Sequence, residues 1–359
     1  MMMFRSRPGA ARPVALLWGY LLLITLAELL TSAVSAQLGL LAHALLLVSL
    51  TLYGAAGQLD ENRKLALALT LAPLIRLLSL SLPLTRFPQI AWYPVVAVPL
   101  LLATWMIIRL LGIPRQTLGL RAGELPLQLM LIGGGLGLGA IEYAILKPAP
   151  LVGSIAPGSL WLPALSLVVC TGFSEELIFR GLLQPLAGRA LGRSALIYVA
   201  LLFAVLHIGY LSLFDVVFVF AVGLLFAYIV RWGGSILGVS LAHGLTNITL
   251  FLILPYLSRN PGALAELMPA LTLAGSVIAI VGIYMIMLRA MLRRVPVAER
   301  ATEGAGLRAL RLAAGMAYID LAERTGLTVR LLAEIEHGMR LPQPEQVQLI
   351  TQALGAPAS

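Results

Sequence analysis

The chain has 359 residues, 60% of them hydrophobic and 11% charged, with a formal net charge of +9. Soluble domains carry about 25% charged residues, so this composition excludes an ordinary water-soluble enzyme. In a membrane chain the basic excess marks inside loops rather than nucleic-acid binding. The single cysteine, Cys170, excludes an internal disulfide and any multi-cysteine metal site, and reads as a small apolar filler.

Residues 1–13 carry Arg5, Arg7 and Arg12, and an apolar run follows from Val14 to Val34. Val34-Ser35-Ala36 has the pattern of a signal-peptide cleavage site, but the run is long for one and carries Glu28, so an uncleaved first helix is expected. Ten spans are predicted, at about 14–35, 37–57, 65–84, 90–111, 127–147, 159–187, 194–211, 213–231, 234–257 and 270–292. With the N-terminus inside, the inner loops hold eleven basic residues between Arg5 and Arg231, and the outer loops three: Arg86, Lys147 and Arg259. That asymmetry places both termini in the cytoplasm of a multi-pass protein of the cell membrane. Trp18, Trp92, Tyr93, Trp161, Tyr210 and Trp232 fall near span ends, as interfacial anchors.

Polar residues inside the spans need partners. Arg76 lies mid-span, with Glu28 and Glu142 as its candidate partners, and His43 reads as a hydrogen-bonded packing residue. Gly133, Gly135, Gly137 and Gly139 form two overlapping GxxxG patterns, which allow close helix approach.

The sixth span carries Glu175-Glu176-Leu177-Ile178-Phe179-Arg180. Glu176 and Arg180 are four apart and pair on one helix face. Glu175 lies about 100° around the helix and faces something else. The seventh span carries Phe203 and His207, and the ninth His243 and Asn247, again four apart. Two imidazoles, a carboxamide and an unpaired carboxylate are the parts of a hydrolytic site. Glu175 would act as general base. His207 would orient the water or bind a metal, and His243 and Asn247 would donate to the oxyanion. The alternative is a zinc ion held by Glu175, His207 and His243, with Glu176 as base. The residues do not choose between the two.

EExxxR (Glu175 to Arg180), FxxxH (Phe203 to His207) and HxxxN (His243 to Asn247) together resemble the three motifs of the CAAX-protease and bacteriocin-processing (CPBP, or Abi) intramembrane proteases, in that family's order. The resemblance covers about residues 125–257. It implies an all-α membrane core and an endopeptidase site reached from the cytoplasm, acting on a membrane protein or peptide. The site residues it implies are Glu175, Glu176, His207, His243 and Asn247, with Arg180 and Phe203 in support. Members are commonly labelled metalloproteases, and a metal-free, glutamate-based mechanism is also proposed. Eukaryotic members trim prenylated CAAX proteins, and many bacterial ones are linked to bacteriocin immunity or maturation.

Composition turns polar after Arg294. Leu321, Ala322, Leu327, Leu332, Ile335, Val347, Ile350 and Leu354 recur at helical spacing as a small core. Gly326 sits where a turn between two short helices needs positive φ. Residues 305–355 resemble the lambda-repressor-like (Cro-type) helix-turn-helix, through Leu321-Ala322, Gly326-Leu327-Thr328, Ile335-Glu336, Gly338 and Leu354-Gly355. The resemblance implies five short helices, with Thr328, Val329 and Arg330 as the base-reading candidates. Tyr318 stands where that family usually has a phosphate-contacting glutamine. From Ala301 onward there are five basic and six acidic residues, a net of −1 that is a poor footprint for DNA. The tail's partner is therefore DNA or protein.

The expected organisation is all-α: N-terminal transmembrane helices at 1–124, a protease core at 125–294, a linker at 295–304 and the helix-turn-helix at 305–355. The competing readings are a membrane sensor or scaffold without catalysis, and a proton-coupled transporter, for which no inverted repeat is visible.

Overall fold

A computed structural model describes residues 11–262, 281, 284 and 297–355. The predicted span at 270–292 lies almost wholly outside these described residues. The chain divides into two units, residues 1–283 and 284–359. Among the described residues every regular element is helical. Eight stretches are long and apolar enough to cross a membrane, so this is a multi-pass membrane protein.

In the first unit α1 (Ala11–Leu29) runs into a wider π-helical turn at Leu30–Val34, and Ser35 in extended conformation breaks the chain before α2 (Ala36–Ala55). Asp60 accepts from the Arg63 amide at 2.9 Å and so starts α3 (Glu61–Leu69), continued almost directly by α4 (Leu71–Ser81). The next two spans are α5 (Trp92–Leu110) and α6 (Leu125–Leu146).

The predicted sixth and seventh spans form one helical stretch of 54 residues, Pro157–Tyr210. It comprises α7 (Pro157–Leu167), a π-helical segment Val168–Phe173, α8 (Ser174–Glu176), a second π-helical segment Leu177–Leu183, α9 (Gln184–Leu191) and α10 (Ala195–Val205). The chain turns between α9 and α10 at Gly192, whose φ of 59° suits a residue without Cβ. The unit continues with α11 (Leu213–Gly233), α12 (Leu237–Ile248) and, after π-helical Thr249–Ile253, α13 (Leu254–Arg259). The π turns flank both glutamates, and such widened turns recur at functional sites.

The core gathers on α10 and the Leu177–Leu183 segment, with Ile178, Phe179, Leu182, Tyr198, Val199 and Leu202 almost wholly buried. Leu102, Trp105, Leu45 and Phe214 point outward, as a lipid-facing surface requires.

In the second unit α14 (Val297–Ala313), α15 (Tyr318–Thr325), α16 (Val329–Glu336) and α17 (Pro344–Ala353) enclose Leu307, Leu321, Leu332, Ile335 and Ile350. The described residues hold four helices, against the five implied by the resemblance. Gly326 ends α15 with φ 69°, in the left-handed conformation that its place in the turn predicts.

Candidate active site

Glu176 is fully buried and its Oε1 accepts from two elements at once: Arg180 Nη1 donates at 2.9 Å and His243 Nδ1 lies at 3.0 Å. Arg180 Nη2 donates to Gly223 O on α11 at 3.1 Å, and its guanidinium lies 4.4 Å from the Phe203 ring centroid. A Cβ at residue 223 would stand 3.3 Å from that Nη2, so glycine there leaves room for the bond. One ion pair thus ties the EExxxR segment to α10, α11 and α12. Breaking such a buried pair costs about 3–5 kcal/mol, which makes Glu176 an anchor.

Glu175 is the more open carboxylate. Its side chain is 28% exposed, and its Oε2 stands 3.8 Å from His243 Nε2. That separation suits a bridging water better than a direct bond. His207 Nδ1 lies 2.9 Å from Phe203 O. A carbonyl only accepts, so the ring donates from Nδ1, and neutral His207 keeps its lone pair on Nε2. Asn247 Nδ2 donates to Thr171 Oγ1 at 2.8 Å, and the Thr171 hydroxyl bonds in turn to Leu167 O.

These groups line one cavity of about 100 Å³, together with Tyr93, Glu142 and Tyr210. That is room enough for water beside the carboxylate. A second chamber of about 370 Å³ shares Glu175, Phe203, His207 and Tyr210, and is also lined by Ile75, Arg76 and Ser79.

Small residues let the three motifs meet. A Cβ on Gly172 would stand 2.5 Å from Ser240 O, and one on Gly244 2.8 Å from the Val168 Cα, so α12 lies directly on the Val168–Phe173 segment. On its other side α12 packs on α6, where Cβ atoms at Gly135 and Gly139 would meet Ala242 O at 2.4 Å and Thr246 O at 2.5 Å. Only one of the two GxxxG registers makes this contact, since nothing lies within 4 Å of a Cβ on Gly137.

Other expectations change with packing. Arg76 pairs with Glu28 at 2.6 Å, and His43 Nε2 lies 3.4 Å from the same carboxylate. Glu142 lines the cavity instead, on α6. Tyr93 and Tyr210, read as interfacial anchors, are cavity walls. Thr171 went unnoticed, although it lies four residues before Glu175 on the same helical stretch. Among the described residues no three His, Cys, Asp or Glu side chains are placed to hold a metal ion. Glu175, His207 and His243 share the cavity wall but are not grouped there as a ligand set.

In the tail, Thr328 Oγ1 accepts from the Leu331 amide at 3.2 Å and caps α16. Val329 is exposed, and Arg330 Nε bonds to Glu334 Oε1 at 2.7 Å. Beneath them Arg311 grips buried Glu336 with two bonds of 2.7 and 2.8 Å, and the Tyr318 hydroxyl donates to the same carboxylate at 2.7 Å. The bond to Glu336 raises the Arg311 pKa further. Burial, then the bond to Glu336, raises the Tyr318 phenol.

Residues 157–249 match the family described as type II CAAX prenyl endopeptidase Rce1-like. Residues 307–359 match a helix-turn-helix family. No curated protein and no solved structure matches the chain.

Proposed function

We propose that the membrane unit is an intramembrane endopeptidase of the CAAX-protease type, in which Glu175 activates a water for attack on a peptide bond. The observation that carries this reading is the convergence of Glu175, His207, His243 and Asn247 on one small cavity, over a carboxylate, Glu176, already committed to Arg180. The match of residues 157–249 to a prenyl endopeptidase family supports a peptide substrate with a prenylated C-terminal Cys-aliphatic-aliphatic-X sequence.

In the proposed reaction the His207 Nε2 lone pair accepts one hydrogen of the water and aims it. Glu175 takes the other proton as the water oxygen bonds to the scissile carbonyl carbon. The carbonyl oxygen becomes an oxyanion. One Asn247 amide hydrogen is held by Thr171, and the second is left for that oxyanion, joined by His243 Nε2 when protonated. As the C–N bond breaks, Glu175 passes its proton to the departing amine and is regenerated. Glu176 and Arg180 keep the frame rigid and take no proton.

The basic-residue asymmetry supports a cell-membrane protein with both termini in the cytoplasm. There the helix-turn-helix would present Thr328, Val329 and Arg330 to DNA. Its net charge of −1 and the Arg330–Glu334 pair favour weak, salt-sensitive binding. DNA retention by the full chain, lowered in Arg330→Ala, tests that part.

The peptidase reading is tested with purified protein and a farnesylated Cys-aliphatic-aliphatic-X peptide, following the released peptide by mass spectrometry. Wild type should cleave it, and Glu175→Ala, His207→Ala and His243→Ala should lose at least 100-fold in rate, the low end of general-base contributions of ~10²–10⁴. Wild-type rates in all three variants would defeat the reading.

A further inference from the structure

The N-terminal helices lie outside the segment that matches the endopeptidase family, yet one of their side chains reaches the turn that carries His207. Arg76, on α4, donates from Nη2 to Leu206 O at 2.8 Å. Its Nε donates to Glu28 Oε1 at 3.0 Å, and Nη2 lies 2.6 Å from Glu28 Oε2. Glu28 is wholly buried, with His43 Nε2 3.4 Å from its Oε1.

We propose that Arg76 is a positioning residue for the peptidase reaction: by holding the Leu206 carbonyl it fixes the turn from which His207 presents Nε2 to the attacking water. This rests on the reading of His207 given above.

The argument starts at the end of α10. The last carbonyls of a helix have no donor within the helix, and buried ones must find a partner elsewhere. Here α10 ends at Val205. The chain then turns sharply, with the His207 amide donating to Ala204 O at 2.9 Å and the Tyr210 amide to His207 O at 3.1 Å. The Leu206 amide reaches Leu202 O at only 3.4 Å, a long bond. The Leu206 carbonyl at this helix end accepts from Arg76, a fastening supplied by another helix. A guanidinium suits the task because its planar fork can grip Glu28 and still aim a hydrogen at a carbonyl. The side chain is 17% exposed, and Arg76 lines the 370 Å³ chamber that Glu175 and His207 also line. Arg76 thus holds the residue next to His207 and lines the same chamber.

The bland alternative is that Arg76 only neutralises Glu28. The two roles separate in the double variant Glu28→Gln/Arg76→Met, which removes both charges and so leaves no buried ion uncompensated. It also removes the donor to Leu206 O. The assay is cleavage of the farnesylated peptide by the full chain, with melting temperature recorded for each variant. Positioning predicts at least a tenfold drop in kcat, with KM within twofold of wild type. Arg76→Lys keeps one charged donor and should fall between the double variant and wild type. A double variant with kcat within twofold of wild type overturns the proposal. Should that variant fail to fold, Arg76→Lys decides, and an unchanged kcat overturns it. Glu175→Gln in the same assay separates the two levels. If it is inactive beside an active wild type, the peptidase reading stands whatever Arg76 does. If it cleaves at the wild-type rate, that reading falls and this one with it.

Discussion

Gly172→Ala probes how the site is assembled without touching a chemical group. The added Cβ would stand 2.5 Å from Ser240 O and 2.7 Å from Gly244 N, both backbone atoms of α12. Ordinary contact begins at 3.4 Å, so α12 or the Val168–Phe173 segment must yield by about 0.9 Å. Ser240 lies one turn before His243, whose Nδ1 is 3.0 Å from Glu176 Oε1. His243 moves with the helix, and a bond of 3.0 Å tolerates a shift of only a few tenths of an ångström. Overpacking of this kind costs about 1–3 kcal/mol, and a 1 Å misplacement of catalytic groups costs about 100-fold in rate. Melting temperature and kcat on the farnesylated peptide should therefore both fall, kcat far more steeply. Gly137→Ala, with nothing within 4 Å of its Cβ, is the control and should leave kcat unchanged without lowering the melting temperature. A Gly172→Ala protein with wild-type kcat would refute the claim that this helix contact sets the site.

Arg180→Met strands the Glu176 carboxylate in the core and should destabilise the protein by about 3–5 kcal/mol in denaturant titrations. Adding Glu176→Gln should recover much of the stability and none of the activity. Thr171→Val keeps the shape but removes the acceptor for Asn247 Nδ2, so it should cost about 1–3 kcal/mol and lower kcat more than it raises KM. In the tail, the raised Tyr318 phenol stabilises the fold fully below its unfolded pKa of about 10, and that contribution is lost as pH rises through the folded value. Carbon-13 NMR of tyrosine-labelled full chain should find Tyr318 titrating above ordinary tyrosines, and Glu336→Gln should bring it down.

What the sequence revealed depended on how local each interaction is. Glu176 and Arg180 lie within one helical turn, and two charges in an apolar helix need each other, so their pairing was legible before any packing was known. The tail's small core was legible for a similar reason, because Leu321, Leu332, Ile335 and Ile350 keep a helical period. Long-range choices were not legible. Glu28 and Glu142 were equivalent partners for Arg76 in sequence, and only the reach of Arg76 from α4 to Glu28 on α1 decides between them. Tyr93 and Tyr210 fit the pattern of interfacial aromatics, which is the same pattern that two cavity walls near helix ends produce. The π-helical winding around Glu175 has no residue signature that helical spacing would reveal. The grip of Arg311 on Glu336 spans 25 residues and was likewise invisible.

In the proposed reaction Glu175 acts on a water and not on the substrate carbon. A single turnover with enzyme in excess, run in water enriched in oxygen-18, separates the two. Water activation predicts one heavy oxygen in the newly formed carboxyl of the peptide and none in the Glu175 side chain. Heavy oxygen in the Glu175 carboxyl after that turnover would mean that the side chain had attacked the carbonyl itself, and would rule out water activation by Glu175.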